Sequence, residues 1–181
     1  MIRTFIALPL EASIQTRLSE LGQTVPGARC VPAEQIHLTI RFIGEVEGTL
    51  FRTIKEALAQ VSAAPICLSI RGVGHFPPRG NPRVLWAGVE PAAAVIGLRQ
   101  HINRVLTTIG IPPEERKYHP HVTIARLHDT PLRRVTDFLT GNSLLQSSAF
   151  TIDAFALFSS TLSAKGAVHR LEALYPLSGS A

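Results

Sequence analysis

His37-Leu38-Thr39-Ile40 and His121-Val122-Thr123-Ile124 repeat one pattern: a histidine, an apolar residue, a threonine and an isoleucine. Residues of a strand alternate between its two faces. Read as a strand, each stretch therefore sets an imidazole beside a hydroxyl and sends its aliphatic residues the other way, into a core. Two such strands facing one cleft would gather two titratable groups and two hydroxyl donors around a small anion, a set suited to acid–base chemistry on a phosphate. The 181 residues include 7 histidines and 14 threonines. That composition supplies about half of one His-x-Thr match by chance, so a single motif would mean little. Two, each with an apolar spacer and a following isoleucine, arise by accident in about 1% of such chains or fewer.

Outward from the motifs, residues 2–8 are apolar and β-prone, and Pro9 closes them. Ile14, Leu18 and Leu21 give residues 11–24 a helical face. A loop over 26–35 leads to a strand over 36–43 that holds the first motif and stops at Gly44. A helix over 46–61 follows, then a strand over 66–73, the turn-rich stretch 76–82 and a returning strand over 83–89. Gly110 and Pro112-Pro113 end a helix over 92–109, and the second motif opens a strand over 121–127. A short helix over 131–139 and strands over 150–159 and 169–174 complete the chain. This mixture, without strict βαβ alternation, predicts an α+β fold with helices outside antiparallel sheets. Strand–helix–strand around each motif predicts two similar lobes: residues 1–181 as one bilobal domain, with one motif strand per lobe lining a central cleft.

Apolar residues make up 45% of the chain, enough for one sizeable core, and there is no charge-rich tail. The net charge is +5, and 15 of the 18 basic residues are arginine. The guanidinium fork suits phosphate, so this balance fits a polyanionic partner, although Arg-rich codon usage would give the same count. Cys30 and Cys67 form neither a CxxC nor a metal spacing, which suits reduced thiols in a cytoplasmic protein. Pro9 and Glu11 break the apolar opening, and no stretch has the length of a membrane span. The expected compartment is the cytoplasm, with no membrane partner, and the expected state is a monomer.

Beyond the two motifs, the chain contains Arg3-Thr4-Phe5-Ile6-Ala7-Leu8, Arg41-Phe42-Ile43-Gly44-Glu45-Val46, Pro82-Arg83-Val84-Leu85-Trp86-Ala87-Gly88-Val89, Pro120 before the second motif with Ala125-Arg126 after it, and Tyr175-Pro176-Leu177. With these it resembles the two-histidine phosphoesterases, and within them the RNA 2′,3′-cyclic phosphodiesterases, also described as 2′-5′ RNA ligases. The resemblance implies the bilobal fold. It also implies hydrolysis of a terminal RNA 2′,3′-cyclic phosphate to a 2′-phosphate with no metal or nucleotide cofactor, tRNA fragments being among the candidate substrates, and reversible 2′-5′ ligation on the same site. By the same resemblance His37 is the proton donor to the departing 3′ oxygen, His121 the proton acceptor that activates water, Thr39 and Thr123 hydrogen-bond the phosphate, and Arg126 adds charge there. His119 makes the second motif His-Pro-His, where relatives often carry another residue before the proline, and the loop His75-Phe76-Pro77-Pro78-Arg79-Gly80-Asn81-Pro82 is similar to the family's proline-rich loop without aligning closely to it.

In a regular strand Arg126 falls on the opposite face from His121 and Thr123, so a bulge or strand end is needed to turn it into the site. Arg41 has the parity of His37 and Thr39 and is a second candidate for phosphate. Phe42 has two readings, a platform for a base or a core residue. His75, His101, His128 and His169 show no partner and read as surface or structural residues. Two other functions remain open: a metal-dependent phosphoesterase using His37, His119 and His121, and a non-catalytic basic RNA-binding module.

Overall fold

A computed structural model of the chain describes residues 1–163 and 166–179. Its elements are β1 (Ile2–Pro9), α1 (Ala12–Gln23), β2 (Ala28–Cys30), a 3₁₀ turn (Ala33–Gln35), β3 (His37–Val46), α2 (Gly48–Leu58), β4 (Ile66–Phe76), β5 (Val84–Glu90), α3 (Ala92–Thr108), β6 (His121–Leu127), α4 (Leu132–Gly141), β7 (Phe150–Ile152), β8 (Ala154–Ser163) and β9 (Gly166–Pro176). Each helix is held by an apolar stripe: Ile14 and Leu18 in α1, Phe51, Ile54 and Leu58 in α2, Val95, Leu98, Ile102 and Leu106 in α3, Val135 and Phe138 in α4. All of these join the inner residues of the strands in one core. α1 lies so close to β6 that a Cβ at Gly22 would stand 2.6 Å from the Ile124 carbonyl oxygen, so a side chain there would push the helix off the sheet. Among the described residues no helix is long and apolar enough to cross a membrane.

The strands pair antiparallel in the order β7-β4-β5-β6-β3-β1-β8-β9, with β2 added on β6. The separate antiparallel sheets expected from the sequence are joined into one continuous nine-stranded sheet by the pairing of β3 with β6, and each half of it carries one motif strand. β9-β8-β1-β3 and β7-β4-β5-β6 meet through one residue pair, Leu38 opposite Val122, the middle residues of the two motifs. Leu8, Leu38, Val122 and Ala87 form a row across this seam and are all fully buried. Truncating Leu38 to alanine there would cost about 2–5 kcal/mol, through lost burial and the cavity left behind.

Several boundaries differ from the sequence reading, for physical reasons. The strand expected over 150–159 is two strands that serve different halves: β7 pairs with β4 and β8 with β1, so the chain changes halves at Asp153. β2 reads as loop in the sequence, because three residues carry no periodicity; pairing with β6 makes it a strand. β3 runs through Gly44 to Val46, because the glycine adopts φ of 95° within the paired segment, opposite Thr4.

Candidate active site

The same irregularity follows both motifs. In β3, Ala7 pairs with Thr39 but Ile6 pairs with Arg41, so Ile40 is an extra residue. In β6, Trp86 pairs with Thr123 but Leu85 pairs with Ala125, so Ile124 is extra. A bulge of one residue reverses the alternation beyond it. Ile40 and Arg41 are therefore both buried, as are Ile124 and Ala125, and the next residue in each strand returns to the face of the motif. His37, Thr39 and Phe42 share the concave face of β3, and His121, Thr123 and Arg126 share that of β6.

Arg41 is thus not on the phosphate-facing side, which corrects the expectation from regular parity. It is 4% exposed and its guanidinium donates to Asn103 Oδ1 and the Pro112 carbonyl behind the sheet. Phe42, in contrast, is 57% exposed on the concave face, with its ring 5.7 Å from that of Phe5. The core reading of Phe42 falls with that exposure.

Each motif histidine opens its strand and is tethered in the same way. His37 Nδ1 lies 2.7 Å from the Gln35 carbonyl oxygen, and His121 Nδ1 lies 2.7 Å from that of His119. A carbonyl only accepts, so Nδ1 carries the proton in both rings and Nε2 is the nitrogen available to a ligand. Among the described residues the Thr39 and Thr123 hydroxyls have no protein partner. Tyr118, packed under Arg99 at 4.6 Å, donates to the Thr39 carbonyl at 2.7 Å and so ties the first motif to the loop that precedes the second.

Aromatic rings wall each imidazole. Around His37 stand Phe5 at 5.0 Å, Phe158 at 6.1 Å and His169 at 5.3 Å between ring centres. Around His121 stand Phe76 at 4.9 Å, Trp86 at 6.2 Å and His119 at 6.4 Å. Trp86 lies across β4 where Gly74 leaves room: a Cβ there would be 2.2 Å from the indole. This burial disfavours the charged imidazolium. His37 is pushed down from 6.5 to about 4, first by desolvation and then by the positive charges of His169, Arg126 and His121, against the pull of the Gln35 carbonyl. His121 is also lowered by burial, with His119 and Arg116 adding to the effect and the His119 carbonyl opposing it. In the free protein at neutral pH His37 is therefore a neutral base, and an anionic ligand would favour its protonated form.

His37, His119 and His121 do not form a metal site: among the described residues no group of three or more His, Cys, Asp or Glu side chains could hold an ion. Sequence reasoning missed Phe5, Phe158 and His169 as parts of the first wall. All three lie on strands whose pairing with β3, direct or through β1, is invisible in the linear chain.

A concave antiparallel sheet that joins two His-x-Thr strands, each imidazole tethered through Nδ1, defines a two-histidine site. The profile of the 2′-5′ RNA ligase superfamily matches residues 10–163. An RNA 2′,3′-cyclic phosphodiesterase of Aeropyrum pernix is 40% identical over 100 residues, which is 55% of this chain and 57% of that protein. A protein of the same name from Archaeoglobus fulgidus is 30% identical over 174 residues, 93% of this chain and 97% of its own. The match thus spans a little over half of the first relative and nearly all of the second. A solved structure of a Thermus thermophilus protein superposes with a TM-score of 0.81 at 26% identity, covering 99% of this chain and 100% of that one. The chain belongs to the 2′-5′ RNA ligase superfamily.

Proposed function

We propose that this protein hydrolyses the terminal 2′,3′-cyclic phosphate of RNA to a 2′-phosphate, using two histidines and no metal. The observation that carries the reading is the meeting of the two motifs at Leu38 and Val122, with both Nδ1 atoms fixed on carbonyls and both Nε2 atoms left for a ligand. The activity of the relatives, by their name, is the same.

His121 Nε2 takes a proton from water as the water oxygen attacks phosphorus. The P–O3′ bond breaks and the 3′ oxygen takes the proton of His37 Nε2. Burial holds His37 neutral in the free protein, so the negative charge of the bound diester supplies the proton affinity that the donor role needs. Thr39 and Thr123 donate to the non-bridging oxygens, Arg126 balances the developing charge, and Phe42 stacks on the terminal base. A 5′-hydroxyl in place of water would form a 2′–5′ linkage with the same proton transfers. The protein acts as a monomer in the cytoplasm, with tRNA fragments among its substrates.

The test is a short RNA ending in a 2′,3′-cyclic phosphate, incubated with purified protein in EDTA, with the product's phosphate located by NMR. Conversion to the 2′-phosphate is expected. Opening only after a divalent metal is restored, or no opening in either condition, refutes the proposal; the last outcome would favour an RNA-binding module.

A further inference from the structure

One imidazole on the concave face takes no part in the chemistry above. His169 lies on β9, the outer strand of the first half, in a cross-strand row with Ser160 of β8, Arg3 of β1 and Glu45 of β3. Two strands separate β9 from β3, yet the curl of the sheet brings the His169 ring edge-on to His37 at 5.3 Å and to Phe5 at 4.8 Å. Its Nδ1 is buried and bonded to none of the described residues. A buried nitrogen without a partner is destabilising, and an aromatic hydrocarbon would fill the same space without that cost. The charges acting on it come from Arg126 of β6 and Arg3 of β1. His37, His169 and Arg126 thus gather proton-bearing groups from three strands in one place. The tautomers of His37 and His121 are fixed by carbonyls, whereas none of the described residues fixes that of His169, so its proton can sit on whichever nitrogen meets a ligand.

We propose that His169 is a phosphate-binding residue: beside Arg126, it donates a hydrogen bond to the phosphate of the bound RNA end on the His37 side of the site. The assignment rests on the proposed function only for the nature of the ligand.

His169→Phe keeps a ring against His37 and Phe5 and removes both nitrogens. Inorganic phosphate is titrated into wild type and variant, with the His37 ring signals followed by NMR, and KM and kcat are measured on the cyclic-phosphate RNA. The expected result is about tenfold weaker phosphate binding and a KM raised by a similar factor, with kcat within about twofold. His169→Gln, which restores a donor without the ring, is expected to recover most of the binding. Equal phosphate affinity in wild type and His169→Phe overturns the assignment. So does an equal loss in the Phe and Gln variants, which would mark a packing role, and so does wild type that binds no phosphate. If His169→Phe does not fold, His169→Leu takes its place in the same comparison. Phosphate binding that depends on His169 in a protein that opens no cyclic phosphate would sink the proposed activity and leave this assignment standing.

Discussion

In the first half of the sheet the residue that the bulge returns to the concave face is Phe42; in the second half it is Arg126. The backbones up to that point are alike: a histidine tethered to the carbonyl two residues earlier, a buried partner at the seam, a threonine, then an extra isoleucine. The walls match in make-up too, two aromatic rings and a histidine on each side: Phe5, Phe158 and His169 beside His37, and Phe76, Trp86 and His119 beside His121. The shared geometry presents two equivalently tethered imidazoles, the proton-transfer groups of the proposed mechanism. The residue after the bulge breaks the equivalence, offering a flat apolar surface on one side and a fixed charge on the other. On the proposed mechanism this difference orients a ligand with a base at one end and a phosphate in the middle, and the orientation sets which histidine gives a proton and which takes one.

The largest effect is expected at the shared part. His37→Ala and His121→Ala should each lower turnover of the cyclic-phosphate RNA by about 10²–10⁴-fold, measured in single-turnover assays on folded protein. The differing part should respond asymmetrically. Arg126→Gln is expected to lower kcat/KM by about 10–100-fold and to weaken inorganic phosphate binding, since a charge-assisted bond is lost. Phe42→Ala should raise KM by about 5–100-fold, the worth of one stacked base, and leave phosphate binding unchanged. Equal effects of the two substitutions on phosphate binding would remove the distinction between the halves.

Smaller effects are expected behind the sheet and in the pH dependence. Arg41→Gln should leave kcat/KM within about twofold but lower Tm, because it strands the Asn103 and Pro112 oxygens at a cost of about 1–3 kcal/mol. His37 binds its proton more weakly in the folded chain, at about 4, than at the ordinary 6.5. The unfolded chain therefore takes up more protons between those values, so stability should fall as pH is lowered through that window and level off below it. His37→Gln should flatten part of that slope in urea titrations at stepped pH.

The two motifs, the strand-and-helix order and the α+β class are readable in the sequence, because each rests on local periodicity. The bulges at Ile40 and Ile124 are not: they exist only in the register with β1 and β5. Regular parity therefore puts Arg41 on the wrong face, and Arg126 needs an irregularity that nothing local announces. The break at Asp153 is hidden for the same reason, since β7 and β8 read as one apolar run until their partners are known. His169 reaches His37 only through the curl of four strands, a relation that a lone histidine in a strand pattern does not reveal.

On the proposed mechanism one histidine from each half acts on the same phosphate as a unit. A double-mutant cycle on single-turnover opening of the cyclic-phosphate RNA in EDTA, with His37→Ala, His121→Ala and the double variant, reads that coupling. Members of one catalytic unit act non-additively, so the double variant should be barely slower than either single one. Losses that multiply across the two halves, or a His121→Ala protein that keeps its turnover, would contradict the account.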